Sequence, residues 1–325
     1  DVVAFAKSTS SITIPFEGEG NVEAQFTAET RNSDGEVIDG GAITYSLLAK
    51  DGVTPTKVKG ITLGEADGKL EVSSGAAPGI VYVKASNADN LSSKVKVNIH
   101  GLTFSFSSAE PEEGYTAVDA TQYTEKQGYG FLTTTGLTVE EDKITGSADF
   151  RFKANVPNGN YIVNVDTTSD SLYSEAVDSV ATAQGVTKTG SSFKVAVCDG
   201  VLDLTFLAGS AVKALSISQD TPKQAQEKPS VYAIGDSTTS NTANGAASWG
   251  NCVADQSVAV PDCFSSFSNN GMAGRDSVSF YNQGRLETVL LAVCPGDYVT
   301  VNMGINSAND GAANAYETMM RYYVD

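Results

Sequence analysis

The chain has 325 residues, 41% of them hydrophobic, enough for two or three domains with buried cores. Its 39 acidic residues outnumber 21 basic ones, and the formal net charge of -18 excludes nucleic acid and anionic membrane surfaces as natural partners. No stretch is long and apolar enough to predict a membrane-spanning helix.

Residues 1–100 read as strands. Segments 20–28, 43–47 and 94–99 alternate apolar and polar side chains, with Gly, Asp and Asn turns between them. Short half-buried strands at this spacing predict a β-sandwich. The single histidine, His100, closes this stretch beside Gly101, at an expected domain boundary. Residues 101–219 stay β-rich, with strands expected over 102–106, 146–156, 161–165, 192–197 and 201–207 and a tight turn at 156–161. Tyr115, Tyr123 and Tyr129 are candidates for stacking on sugar rings, and core or rim packing is their competing role. Residues 220–230, with Pro222 and Pro229 and no apolar period, read as a linker.

From Ser230 the pattern changes. The apolar runs 231–234 and 298–303 each end at a glycine, Gly235 and Gly304, and helices are expected over 249–258, 285–293 and 312–323. Strands separated by helices predict a parallel α/β sheet, whose ligands sit at the carboxyl ends of its strands. The first run leads into Gly235-Asp236-Ser237-Thr238-Thr239, which places a serine on a tight turn at a strand exit. The glycine-rich loop 269–277 and Gly304-Ile305-Asn306-Ser307 follow. The backbone amides of Ser237 and Gly274 and the side-chain amide of Asn306 are three donors suited to a developing oxyanion, which is what acyl transfer requires. Asp236, Thr238 and Arg275 flank them and are expected on the substrate side. Cys198, Cys252, Cys263 and Cys294 contain no CxxC pair, so no zinc site is expected; either Cys252 and Cys263 form a disulfide or the thiols are free and buried.

Several of these motifs carry a family resemblance. Gly235-Asp236-Ser237, Ser248-Trp249-Gly250, Ala273-Gly274-Arg275, Gly284-Arg285-Leu286-Glu287 and Gly304-Ile305-Asn306, in this order, resemble the rhamnogalacturonan acetylesterase family of SGNH (GDSL) hydrolases. Residues 1–100 resemble a bacterial immunoglobulin-like module, and 101–219 a galactose-binding-like jelly roll. The fold implied is multidomain: two all-β domains, a linker at 220–230, and the N-terminal part of a flavodoxin-like α/β hydrolase domain over 231–325.

The resemblance implies Ser237 as nucleophile, Gly274 and Asn306 in the oxyanion hole, and a secreted carbohydrate esterase that removes acetyl groups from pectin. It implies no metal or organic cofactor, a polysaccharide as partner, and a signal peptide already removed. Two departures stand out. The family's Gly-His-Asn-Asp reads Gly304-Ile305-Asn306-Ser307, and its closing Asp-x-x-His is missing. The base is therefore expected beyond Asp325, on the same chain or as a separate piece, and the strand ending at Met303 is expected to lie at an unprotected sheet edge. A catalytically inactive glycan-binding protein is the alternative.

Overall fold

A computed structural model describes residues 1–15, 20–111, 114–178, 180, 183–240, 248–254, 259–309 and 313–324. The chain is rich in β-structure, with several sheets, and divides into two compact units. The first comprises residues 1–155, 165–168 and 208–218; the second comprises 156–164, 169–207 and 219–325.

In the first unit, the strands Ser11–Thr13, Ser92–His100, Gly79–Ser86 and Thr44–Leu48 form one sheet in that order. Alternation decides which face is buried. Along Gly79–Ser86, Val81, Val83 and Ala85 point inward while the residues between them are half-buried. They meet Phe26, Leu70, Val72, Val97 and Ile99 in one core. A second core is aromatic. Phe152 packs edge-on against Phe104 and Phe106 at centroid distances of 5.0 Å and against Phe131 at 5.6 Å. These offset contacts suit the ring quadrupoles and add to area burial.

The second unit joins β-strands to an α/β layer. The strand Ser192–Val197 pairs antiparallel with residues 159–164, and Ser171–Ser174 pairs with both Val186–Thr189 and Val201–Phe206. The α/β layer is a parallel sheet of three strands in the order Ser266–Asn269, Ser230–Gly235, Tyr298–Asn302. Its helices are α1 (Ser237–Ser240), α2 (Trp249–Ala254), α3 (Ser277–Asn282), α4 (Arg285–Leu290), α5 (Ile305–Asn309) and α6 (Ala313–Val324). Tyr298–Asn302 is an edge strand, as expected, and Tyr298 and Val299 are exposed on it. Strand Ser266–Asn269 and helix α3 went unexpected, the first because Phe267 is its only apolar residue.

The connection between the strands Ser171–Ser174 and Val186–Thr189 completes the core of the α/β layer. Val177 and Val180 are buried with Ile234, Val278, Phe280, Leu286, Val289 and Met319. Polar contacts fix the same face. Lys188 forms a buried ion pair with Glu287 of α4, and the other Glu287 carboxylate oxygen accepts from the Ala196 amide at 3.3 Å. The Tyr281 hydroxyl donates to the Glu175 carbonyl, and Gly185 N–H donates to Asn282 Oδ1 at 3.2 Å. Glu175 is buried at a left-handed φ of 56°, and burial pushes its carboxyl well above the usual range. The expected linker is also pinned. Asp220 pairs with Lys194, and the Lys223 ammonium donates to the Leu291 carbonyl.

A buried charge stripped of its partner is far costlier than an intact pair is beneficial. Lys188→Met is expected to destabilise the second unit by about 3–5 kcal/mol, because Glu287 stays buried without its cation. Adding Glu287→Leu to it should recover most of that loss. Urea unfolding followed by hydrogen exchange on α4 checks both.

Candidate active site

The site begins where strand Ser230–Gly235 ends. A Cβ at Gly235 would lie 2.0 Å from Thr239 Oγ1 and 2.8 Å from the Asn302 carbonyl, so only glycine lets the chain turn here. The turn closes through the Asp236 carbonyl, which accepts from the amides of Thr239 and Ser240, both at 3.1 Å. Asp236 is buried, and one oxygen of its carboxylate accepts from the Thr238 amide and hydroxyl, both at 2.9 Å. Asp236 thus holds the turn from inside, unlike its expected place on the substrate side. Thr238 is exposed, with its hydroxyl committed to that carboxylate. Ser237 opens α1, is half-buried, and has no hydrogen-bond partner for its hydroxyl among the described residues.

Thr239, fully buried, is the hub behind the serine. Its carbonyl accepts from Ser248 Oγ at 2.6 Å and from Asn269 Nδ2 at 3.1 Å. A Cβ at Gly250 would come within 2.4 Å of that carbonyl, and one at Gly271 within 2.9 Å of the Thr239 side chain. Three glycines far apart in sequence therefore close around one threonine. Sequence reasoning singled out Gly235 and Gly250 and missed Thr239 and Asn269 as supports. The Asn269 side chain also carries a local signal, since it accepts from the Gly271 amide two residues on, at 3.0 Å, in an Asx turn.

Of the other expected oxyanion donors, Gly274 lies on a loop tied to the same strand exit and Asn306 on α5, beyond the end of the adjacent strand. The amides of Asn270 and Met272 donate to the carbonyls of Ala233 and Gly235, both at 2.8 Å, so loop 269–274 runs alongside the turn. Gly274 is exposed at a φ of 73°, in the left-handed region that favours glycine. The Asn306 side-chain amide donates to the Arg275 carbonyl at 3.0 Å, which leaves it a second N–H to offer. Because Gly235 pairs with Asn302, Ser237 and Asn306 leave the ends of adjacent parallel strands.

Arg275 donates to Gln283 Oε1, at the C-terminal end of α3, at 2.9 Å and to the Ala273 carbonyl of its own loop at 3.3 Å. Asp276 caps α3 in a capping box with Ser279, an Asp-x-x-Ser signal that sequence reasoning passed over. Where the resemblance leads one to expect an aspartate, Ser307 is buried and accepts from the Ser277 amide at 3.2 Å. Ile305, at the expected histidine's place, is 57% exposed.

Other expected residues fall elsewhere. The Cys252–Cys263 disulfide is not formed: Cys252 sits on α2 and Cys263 in an exposed turn before the strand Ser266–Asn269. Tyr129 is 5% exposed, packed on Phe104 and His100, and cannot present a face to a sugar. Tyr123 is half-buried, donates to Asn155 at 2.9 Å and carries Lys153 over its ring. Tyr115 lines an open cleft of about 310 Å³ with Ser105, Glu110, Glu141, Asp142 and Lys213. His100 lies buried in the first unit against residues of that unit, so its ring is not available as a proton acceptor for Ser237.

Comparison with known proteins gives a relative of stated activity. The chain is 29% identical over 230 residues to the uncharacterized esterase YxiM of Bacillus subtilis strain 168, across 63% of this chain and 59% of that protein. It thus spans about three fifths of that relative's length. The crystal structure of YxiM from Bacillus subtilis matches with 25% identity and a TM-score of 0.30, over 68% of this chain and 70% of that one. Drosophila N-cadherin EC1–4 matches over 48% of this chain and 45% of that one, with 9% identity and a TM-score of 0.24. No protein-family model matches the chain.

Gly250→Ala and Gly274→Ala separate packing from backbone strain. The first drives a Cβ against the Thr239 carbonyl and is expected to cost about 1–3 kcal/mol. The second meets no atom within 4 Å and is expected to cost about 1 kcal/mol from its positive φ alone. Trp249, the only tryptophan, adjoins the first position, so its fluorescence should shift in Gly250→Ala and stay unchanged in Gly274→Ala.

Proposed function

We propose that this chain carries the nucleophile and oxyanion donors of a serine ester hydrolase that removes acetyl groups from a plant-wall polysaccharide such as rhamnogalacturonan, outside the cell. The observation that carries the reading is the Ser237 hydroxyl, unengaged among the described residues, on a turn braced by Gly235 and Thr239, with Asn306 beyond the end of the adjacent parallel strand. Similarity to a protein named an esterase supports the reaction class. The polysaccharide substrate rests on the motif resemblance and on the Tyr115 cleft, where an aromatic face adjoins hydrogen-bonding groups.

In this mechanism Ser237 Oγ attacks the acetyl carbonyl carbon while a base takes its proton. The carbonyl oxygen becomes an oxyanion, held by the amides of Ser237 and Gly274 and the second N–H of Asn306. Collapse expels the sugar hydroxyl, which receives the proton, and water then releases acetate from Ser237. His100, the one histidine of the sequence, is buried among residues of the first unit and is not assigned as that base. A second reading, an inactive glycan-binding protein, draws on Ile305 and Ser307 in place of the family's histidine and aspartate.

Acetate release by the full-length protein decides between the two. Ser237→Ala is expected to abolish release from acetylated pectin and from p-nitrophenyl acetate. Asn306→Ala is expected to lower kcat on the order of 10²–10³-fold. Tyr115→Ala should raise KM for the polymer and leave the small ester unaffected. The chain's -18 charge opposes an anionic polymer, so added salt should lower KM for pectin. Absence of acetate release from the wild-type full-length protein would favour the binding reading.

A further inference from the structure

His100 is buried, yet no step of the proposed reaction uses it. It ends the strand Ser92–His100, where its backbone is fixed by pairing with Thr13 and by the Ile14 amide, which donates to its carbonyl at 2.9 Å. Its ring projects from the first β module onto the turn 124–129 of the second, within the same compact unit. The Tyr129 ring meets it edge-on at 5.0 Å. A Cβ at Gly128 would stand 2.8 Å from Nε2 and 3.3 Å from Ser11 Oγ, so the turn lies as close as a bare backbone allows.

Around the ring, the Ser11 hydroxyl donates to the Gln127 carbonyl at 2.6 Å, and Asn98 Nδ2 donates to the Tyr129 hydroxyl at 3.2 Å. The joint between the two modules is thus organised around one imidazole.

That imidazole has little with which to stabilise a positive charge. Nε2 lies 3.3 Å from Thr13 Oγ1, and Nδ1 is buried with no hydrogen-bond partner. Among the described residues the Gly101 backbone is the polar group that favours the charged ring, without reaching Nδ1 in hydrogen-bond geometry. Among the described residues no carboxylate perturbs it: on the turn, Tyr129 is the buried titratable neighbour while Glu125 and Lys126 are exposed, Lys126 meeting Ser10 through its carbonyl, and Asp119 acts on Tyr129 rather than on His100. A charge in this setting forfeits its hydration without replacement.

We propose that His100 is an acid-released latch: the turn 124–129 closes over the ring only while it is neutral, so acidification opens the joint between the two β modules. Burial pushes the ring's pKa in the closed joint down to about 4, against an ordinary value of 6.5. The closed joint therefore binds fewer protons than the open one between these values. Its closure is at full strength above pH 6.5 and weakens as pH falls through that window. Opening is favoured by up to about tenfold per pH unit, on the order of 150-fold by pH 4.

As the only histidine, His100 gives an unambiguous ring resonance in NMR of the whole chain. The closed state should keep a neutral ring down to pH 5, with any imidazolium signal growing in together with an exposed state. Hydrogen exchange provides the second measurement. Protection of residues 124–129, corrected for intrinsic rates, should fall by up to about tenfold per pH unit below 6.5 in the wild type and stay level in His100→Gln, which does not titrate. The slope with pH is the readout, so a uniform loss of protection in the variant does not obscure it. The proposal is overturned if the ring titrates near 6.5 with 124–129 still protected, or if both proteins show the same slope. If His100→Gln does not fold, the wild-type ring titration alone decides.

Discussion

The candidate site depends on a turn that admits no side chain. At Gly235 the chain must leave a buried strand and enter α1 between the Thr239 hydroxyl and the Asn302 carbonyl, where a Cβ would overlap both. That crowding fixes the direction in which Ser237 emerges. Asp236 is drawn inward to cap Thr238, and Thr239 becomes the post around which residues 248–250 and 269–271 gather. Preorganisation of this kind is what acyl transfer rewards, because donors set in place before the reaction need not reorganise during it.

A second constraint acts behind the first. The α/β layer shares its apolar core with Val177 and Val180, and its helices α3 and α4 are held by Glu175, Gly185, Lys188 and Ala196. Helix α3 follows directly on the Gly274–Arg275 loop, and its first residue, Ser277, meets Ser307 next to Asn306. The β-rich part of the second unit therefore helps to position Gly274 and Asn306, the proposed oxyanion donors. Glu287 is a case in point. Resemblance marks it as a motif residue, and in the structure it is the anchor for a lysine and an amide of two β-strands.

Much of this was legible in the sequence, for identifiable reasons. Period-two alternation locates strands such as Ser92–His100, because one face is buried and the other wet. The strand-glycine-serine order locates the turn at Ser237. Strand Ser266–Asn269 escapes because hydrogen bonding to a neighbour, rather than apolar pattern, makes it a strand. Helix α3 escapes because Ser-Val-Ser-Phe-Tyr alternates like a strand, and only its capping box reveals the helix. Tyr129 and Asp236 carry suitable chemistry for ligand contact, but burial removes them from it, and burial is a tertiary fact. The bracing of Thr239 by three distant glycines belongs to the same class.

The central claim is that Ser237 is the residue acylated by an ester substrate. Treating the full-length protein with a fluorophosphonate ester, followed by peptide mass spectrometry, tests it most directly. The account predicts a single phosphonyl adduct on the peptide containing Gly235-Asp236-Ser237, reduced when an acetyl ester competes. An adduct on another serine, or none at all, would contradict it.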